Sequence, residues 1–159
     1  ASAQNDKFTL RDRKGRYLRL NNQNQMVANG KPEKPEIVLQ VQELGYGKIA
    51  IKSANQLYWS IAGATGLLTA RSSHIAPEET FDLIPVNRNK LMLRATNGNY
   101  LTVENNGIVS SSANYMRQAA VFRYANYNNF VTQKISLQQR LRLFKKKLLF
   151  IKSKLQQKF

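Results

Sequence analysis

The stretch LRATNGNYLTVENNGIVSSS, Leu93 to Ser112, reads as a strand, a tight turn at Asn97-Gly98-Asn99, a second strand, a turn at Asn105-Asn106-Gly107 and a third strand. Apolar and polar residues alternate along it, and Asn and Gly sit where the backbone must turn, which argues for antiparallel hairpins with one buried face. A single hairpin pair fits many β proteins. What decides the fold is whether it recurs.

It recurs twice. FTLRDRKGRYLRL from Phe8, IAIKSANQLYWSI from Ile49 and LMLRATNGNYLTV from Leu91 align with their starts 41 and 42 residues apart. Each copy holds an apolar-x-apolar strand, a polar turn, and then Tyr17-Leu18, Tyr58-Trp59 or Tyr100-Leu101 at the same offset. A third element follows at Met26-Val27, Leu67-Leu68 and Ile108-Val109. A fourth closes each copy: IVLQV from Ile37, TFDLI from Thr80 and AVFRY from Ala120, with Leu39, Phe81 and Phe122 near equivalent places. The alternation turns Leu18, Ile51 and Phe81 inward and Arg19, Lys52 and Asp82 outward. Gly15, Gly66, Gly98 and Gly107 fall where turns need a permissive backbone. A unit of four short strands cannot bury its apolar face alone, so three copies must share a centre. The expectation is an all-β chain, a β-trefoil of three four-stranded repeats at 7–47, 48–89 and 90–126. A six-residue extension precedes it, and a linker at 127–133 leads to a basic amphipathic helix over 134–159.

Residues within these copies resemble known families. IAIKSANQLYW, ARSSHIAPEETFDLIPV and KLMLRATNGNYLTVENNG resemble the fascin-type actin-crosslinking trefoils and the agglutinin domain of amaranthin-type lectins. IVLQVQELGYGKIAIKS is similar to the corresponding region of fibroblast growth factors. The resemblance spans roughly Lys7 to Asn126 and implies the fold; trefoils host many functions, so it implies several activities. The Gln-x-Trp signature of ricin-type lectins is absent, because Leu57 stands two places before Trp59 and Gln56 one place further. A ricin-type sugar site is therefore disfavoured.

Composition narrows the chemistry. The chain has 159 residues, enough for one domain with a core and too few for two full ones. With no cysteine, disulfides, Cys-based metal sites and thiol catalysis are excluded. His74, the single histidine, lies in the polar link RSSHIAPEET with no evident nucleophile beside it. Glu78 and Glu79 read as a solvated approach to a strand, since neighbours in a strand point to opposite faces and cannot act together across a substrate. No phosphate-cradling glycine loop or metal-ligand cluster is present in the sequence. A non-enzymatic binding protein without a cofactor is expected.

Two sets of candidate contact residues follow. Trp59 shares its repeat position with Leu18 and Leu101, so it reads as core rather than as a sugar platform. Tyr17, Tyr58 and Tyr100 point the other way beside polar turns, as ligand contacts or as structural tyrosines. Around them stand Lys14 and Arg16 in the first copy, Asn55 and Gln56 in the second, and Asn97 and Asn99 in the third. Amides suit the hydroxyls of neutral glycans; Lys14 and Arg16 suit carboxylate or sulfate. Arg11, Arg13, Lys14 and Arg16 together would also suit an acidic filament.

The net charge of +16 favours polyanionic partners. Its distribution is uneven: the first 104 residues carry 14 basic against 9 acidic side chains, and the last 55 carry 11 basic and none acidic. Most of the basic surplus thus falls toward the tail. There KISLQQRLRLFKKKLLFIKSKLQQKF places Leu137, Leu141, Phe144, Leu148, Ile151 and Leu155 on a helical stripe. Leu143, Leu149 and Phe150 widen it. Arg140, Arg142, Phe144, Lys145, Lys146, Lys147, Leu148, Phe150, Ile151 and Lys152 are the candidate membrane or partner contacts. Docking or homo-oligomerisation, contact with an anionic membrane, and nucleic-acid binding all remain open for the tail. No apolar run approaches the roughly 20 residues of a spanning helix.

The leading expectation is a carbohydrate-binding, lectin-like trefoil whose tail adds oligomerisation or membrane contact. An actin-binding, crosslinking protein is the alternative, and a membrane-active protein working through its tail is the third. ASAQND, with neither Met nor an apolar run, fits a processed mature end or a cut end. A secreted location is favoured over a cytoplasmic one.

Overall fold

The computed structural model describes residues 7–127 and, further on, 142, 145, 146 and 148–154. The chain divides into two units, Ala1–Tyr127 and Asn128–Phe159. In the first unit twelve strands fall into three sets of four. They are β1 (Lys7–Arg11), β2 (Tyr17–Leu20), β3 (Met26–Gly30) and β4 (Leu39–Gly45); β5 (Lys48–Lys52), β6 (Tyr58–Ile61), β7 (Leu68–Ser72) and β8 (Phe81–Asn87); β9 (Lys90–Ala95), β10 (Tyr100–Val103), β11 (Val109–Ala113) and β12 (Phe122–Asn126).

Pairing turns these sets into one closed object. β1 pairs with β4, β4 with β5, β5 with β8, β8 with β9, β9 with β12, and β12 with β1, all antiparallel. Six strands therefore close a barrel, which leaves it no free edge. The hairpins β2–β3, β6–β7 and β10–β11 gather over one end, each with a register shift at the same place, after Tyr17, Tyr58 and Tyr100. Bridges Gln25↔Thr69, Leu67↔Ser110 and Val27↔Ile108 tie the three hairpins to one another. Three matching hydrogen bonds do the same, donated by the N–H groups of Ala70, Ser111 and Ala28 to the carbonyls of Asn24, Gly66 and Gly107. All three acceptor residues have positive φ, and a Cβ on Gly107 would come within 3.1 Å of the Ala28 carbonyl oxygen. Here glycine is required by backbone approach as well as by φ.

The core repeats with the strands. Equivalent positions hold Phe8, Ile49 and Leu91; then Leu10, Ile51 and Leu93; Leu18, Trp59 and Leu101; Met26, Leu68 and Val109; and Leu39, Phe81 and Phe122. All but Leu91 are buried, and Leu91 packs against the cluster. Trp59 is fully buried, as its repeat position implies. Its indole N–H donates to the Ser53 hydroxyl at 2.8 Å, and its ring meets Phe81 edge-on with centroids 6.4 Å apart. Truncating such a side chain to alanine costs about 3–5 kcal/mol.

Two details differ from the sequence reading. The fourth strands begin at Leu39, Phe81 and Phe122, because each is preceded by a short 3-10 turn at Pro35–Ile37, Pro77–Glu79 or Met116–Gln118. In the first two, proline presets φ for the turn and cannot donate to a ladder. Glu79 is thereby lifted out of a strand and is not solvated. It is buried; one carboxylate oxygen accepts from the Ala76 N–H at 2.9 Å and the other from the Ser60 hydroxyl at 2.5 Å. The same repeat position holds buried Ile37 in the first copy and exposed Gln118 in the third.

The second unit is described only in part. Residues 142, 145, 146 and 148–154 are helical and exposed. Leu148, Leu149, Phe150 and Ile151 are consecutive, so at 3.6 residues per turn they occupy every side of one turn rather than one stripe. The Lys154 ammonium lies over the Phe150 ring, 5.2 Å from its centroid. Arg140, Phe144 and Lys147, with Leu137, Leu141, Leu143 and Leu155 of the expected stripe, lie outside the described residues, as do residues 1–6 and 128–141. Among the described residues no helix is long and apolar enough to cross a membrane.

Candidate functional site

The three tyrosine turns are built alike and sit in three separate places around the axis. Tyr17 pairs with Arg11 across the strands, Tyr58 with Lys52, and Tyr100 with Arg94. In each pair the cation lies over the ring, at 5.6 Å for Arg11, 5.1 Å for Lys52 and 5.8 Å for Arg94. Such contacts are worth about 0.5–1 kcal/mol at exposed sites. Tyr100 is buried, and the Tyr58 hydroxyl donates to Gln42 at 3.0 Å.

The polar candidates beside them are largely occupied. Asn55 donates to the Ala70 carbonyl and accepts from the Leu57 N–H. Asn97 donates to the Ser111 hydroxyl and Asn99 to the Ser111 carbonyl. Gln56 is exposed at φ +66, in the left-handed position that Gly15 and Gly98 fill in the other copies. Arg16 forms an ion pair with buried Asp12 at 2.8 Å and donates to the carbonyls of Asn105 and Glu104. Arg16 thus ties the first repeat to the third.

Following each cation-tyrosine pair one strand further exposes a second threefold pattern. Register places Lys7, Gln40 and Lys52 side by side on β1, β4 and β5. It places Lys48, Asp82 and Arg94 on β5, β8 and β9, and Lys90, Arg123 and Arg11 on β9, β12 and β1. The three rows are equivalent places in the fold and differ in the central residue: an amide, an acid, a base.

In the second row Asp82 joins its neighbours, accepting from Lys48 at 2.8 Å and from Arg94 at 2.9 and 3.0 Å. The hydrogen bond from Lys48 is the main reason its carboxyl titrates below the usual range; partial burial opposes that, and Arg94 adds to it. The same carboxylate raises Arg94. In the third row Arg123 stands between Arg11 and Lys90 with no acid in the row. Like charges directly opposite on a sheet repel and destabilise it.

That third row opens into a groove of about 650 Å³. Arg11, Arg13, Lys14, Lys90 and Arg123 line it, and the one acid among the described lining residues, Asp12, is engaged by Arg16. Five cations from β1, the turn after it, β9 and β12 therefore converge on a concave surface. Of the sequence candidates the groove takes in Lys14, together with Arg11 and Arg13; Arg16 does not line it. Lys90 and Arg123 were missed. They lie 33 residues apart in sequence, and the signal was available in the repeat alignment, where Arg123 stands at the place of Gln40 and Asp82. The surplus of +5 over the first 104 residues conceals this patch. Among the described residues no group of three or more acidic or histidine side chains could hold a metal.

Twelve antiparallel strands in three equivalent sets around one axis define the class: the unit is a β-trefoil. The designed threefold-symmetric protein ThreeFoil matches it with a TM-score of 0.67, covering 76% of this chain and 98% of that one at 14% identity, a likeness of fold. Comparison with curated proteins finds no match. A family model for the FRG1-like domain matches residues 29–153, and the chain belongs to that family. The matched span includes Lys90 and Arg123 and begins after Arg11, Arg13 and Lys14.

Proposed function

We propose that the trefoil is a non-enzymatic binding domain and that the groove around Arg11, Arg123 and Lys90 is its binding face, taking an acidic macromolecular surface. One observation carries the reading: three cations lie side by side where the equivalent row holds a neutralising aspartate. Clustered like charge of this kind sets up a positive potential that attracts and orients an acidic partner. The filament of actin, partner of the fascin-type trefoils that the sequence resembles, is the first acidic surface to test. Co-sedimentation of the full chain with F-actin is expected at low salt and lost at high salt. Absence of pelleting at low salt removes actin as the partner.

A carbohydrate-binding reading is the second, and the groove favours acidic glycans over neutral ones. Its volume of about 650 Å³ suits a ligand of small-molecule size, whereas the tyrosine rings already carry cations and the amides already serve the backbone. A glycan array of sulfated and carboxylated sugars tests it, and an array without hits rejects it. In the tail, exposed Leu148 to Ile151 among Arg142, Lys145, Lys146, Lys152 and Lys154 support contact with an anionic membrane. Vesicle binding by the full chain and not by a chain ending at residue 127 is expected; equal binding rejects that role.

A further inference from the structure

The barrel end opposite the hairpins is open and apolar. A cavity of about 300 Å³ lies there, walled by Phe8, Ile49, Leu91, Val41, Leu83 and Tyr124, two from each repeat. Its floor is the core layer one step further in. Leu83 and Tyr124 are each more than a third exposed, so this wall faces water. The turn from β8 to β9 brings Arg88 and the start of β9 brings Lys90, and among the described lining residues Glu43 is the one acid. Arg88 is exposed. The cavity is distinct in character from the basic groove, being greasy inside and cationic only at its lip.

We propose that this mouth is a second binding site, for a small amphiphile with one anionic group, such as a medium-chain carboxylate. Pockets of this size that are mostly apolar with a few convergent polar groups are the usual form of small-ligand sites. At roughly 30 Å³ for each small heavy group, the cavity has room for about ten carbons. The chain displaces water from the two threefold rings, and the carboxylate meets the Arg88 guanidinium at the lip, with Lys90 behind it. The cationic lip selects anion over cation. Asn87 and Lys90 line both this cavity and the basic groove, whereas Arg88 lines the cavity and not the groove, so the test turns on Arg88.

The test is calorimetric titration of the full chain with hexanoate, octanoate, decanoate and dodecanoate, and with decyltrimethylammonium, all below micelle formation. Affinity is expected to rise about three- to fourfold per methylene up to about ten carbons, the factor given by the transfer free energy of a buried methylene. Decanoate should bind at least about tenfold more tightly than decyltrimethylammonium, and Arg88→Glu should remove most of that difference. Val41→Phe, which fills the cavity, should abolish decanoate binding while the protein still melts cooperatively. Methyl resonances of Leu83 and Leu91 should shift on adding decanoate to the unmodified chain. Affinity independent of chain length, equal binding of the ammonium, or binding that survives in a folded Val41→Phe overturns the proposal. Where Val41→Phe does not fold, the methyl resonances decide: unshifted Leu83 and Leu91 overturn it. Retained binding in Val41→Phe would also place the amphiphile elsewhere, on exposed Leu148 to Ile151 first.

Discussion

Lys48–Asp82–Arg94 and Lys90–Arg123–Arg11 occupy the same place in two repeats of one barrel. Backbone, register and tyrosine partner are shared: Arg94 lies over Tyr100 as Arg11 lies over Tyr17. The central side chain differs, and with it the sign of the row's internal energy. Around Asp82 two ion pairs form at 2.8 and 2.9 Å. Around Arg123 the neighbours repel. The fold accepts aspartate at that position in the second repeat, so the shared backbone does not dictate the arginine. Pseudo-symmetry thus supplies an internal control: what all three copies share serves the fold, and what one copy breaks marks a place to look for function. Gln40, in the remaining row, is the neutral reference.

The largest effect is expected when the groove is reversed rather than its neighbour. Arg11→Glu with Lys14→Glu should lower affinity for the acidic partner about 100-fold at low salt and flatten its salt dependence, read by co-sedimentation or titration. The matching reversal Lys52→Glu, in the row around Gln40, should leave binding nearly unchanged. Next in size, Asp82→Arg transplants the third row's repulsion into the second. It removes both ion pairs and sets three cations abreast, and should cost about 1 kcal/mol, or about 4 °C of melting temperature. Smaller still, Gln40→Asp should copy the second row into the first, between Lys7 and Lys52, and raise stability by about 0.5 kcal/mol in a denaturant titration.

The smallest effect is a pH dependence confined to one row. Since the folded-state carboxyl of Asp82 titrates below its unfolded value, its contribution is present in full above the ordinary carboxylate range and is lost as pH falls through the folded-state value. Asp82→Asn should therefore be less stable than the parent near neutral pH and equally stable in strong acid, by melting temperature across the acid limb. A gap that persists in acid would assign the effect to packing instead of charge.

How much of this was legible in the sequence follows from what repeats. Apolar residues recur at fixed offsets, so the repeat alone places Leu18, Trp59 and Leu101 in the core and the turn glycines where φ is positive. The 3-10 turns were not legible: IVLQV carries the strand pattern back into Ile37, which the turn from Pro35 already holds, and TFDLI begins directly after the turn from Pro77. Glu79 was misjudged for the same reason: a carboxylate reads as solvated until the Ala76 N–H and the Ser60 hydroxyl are seen to meet it. The groove was half legible. Arg11, Arg13 and Lys14 are neighbours in sequence; Lys90 and Arg123 join them only through the pairing of β12 with both β1 and β9. Long-range register carries that information, and a charge count by chain segment does not.

One substitution tests the central claim on both of its sides. Arg123→Asp gives the third row the arrangement of the second, between Lys90 and Arg11. Its affinity for the acidic partner, measured with its melting temperature at the same low salt, should fall at least about tenfold while the melting temperature rises by a few degrees, about 2–4 °C. Unchanged affinity, or a melting temperature that falls, would contradict the account.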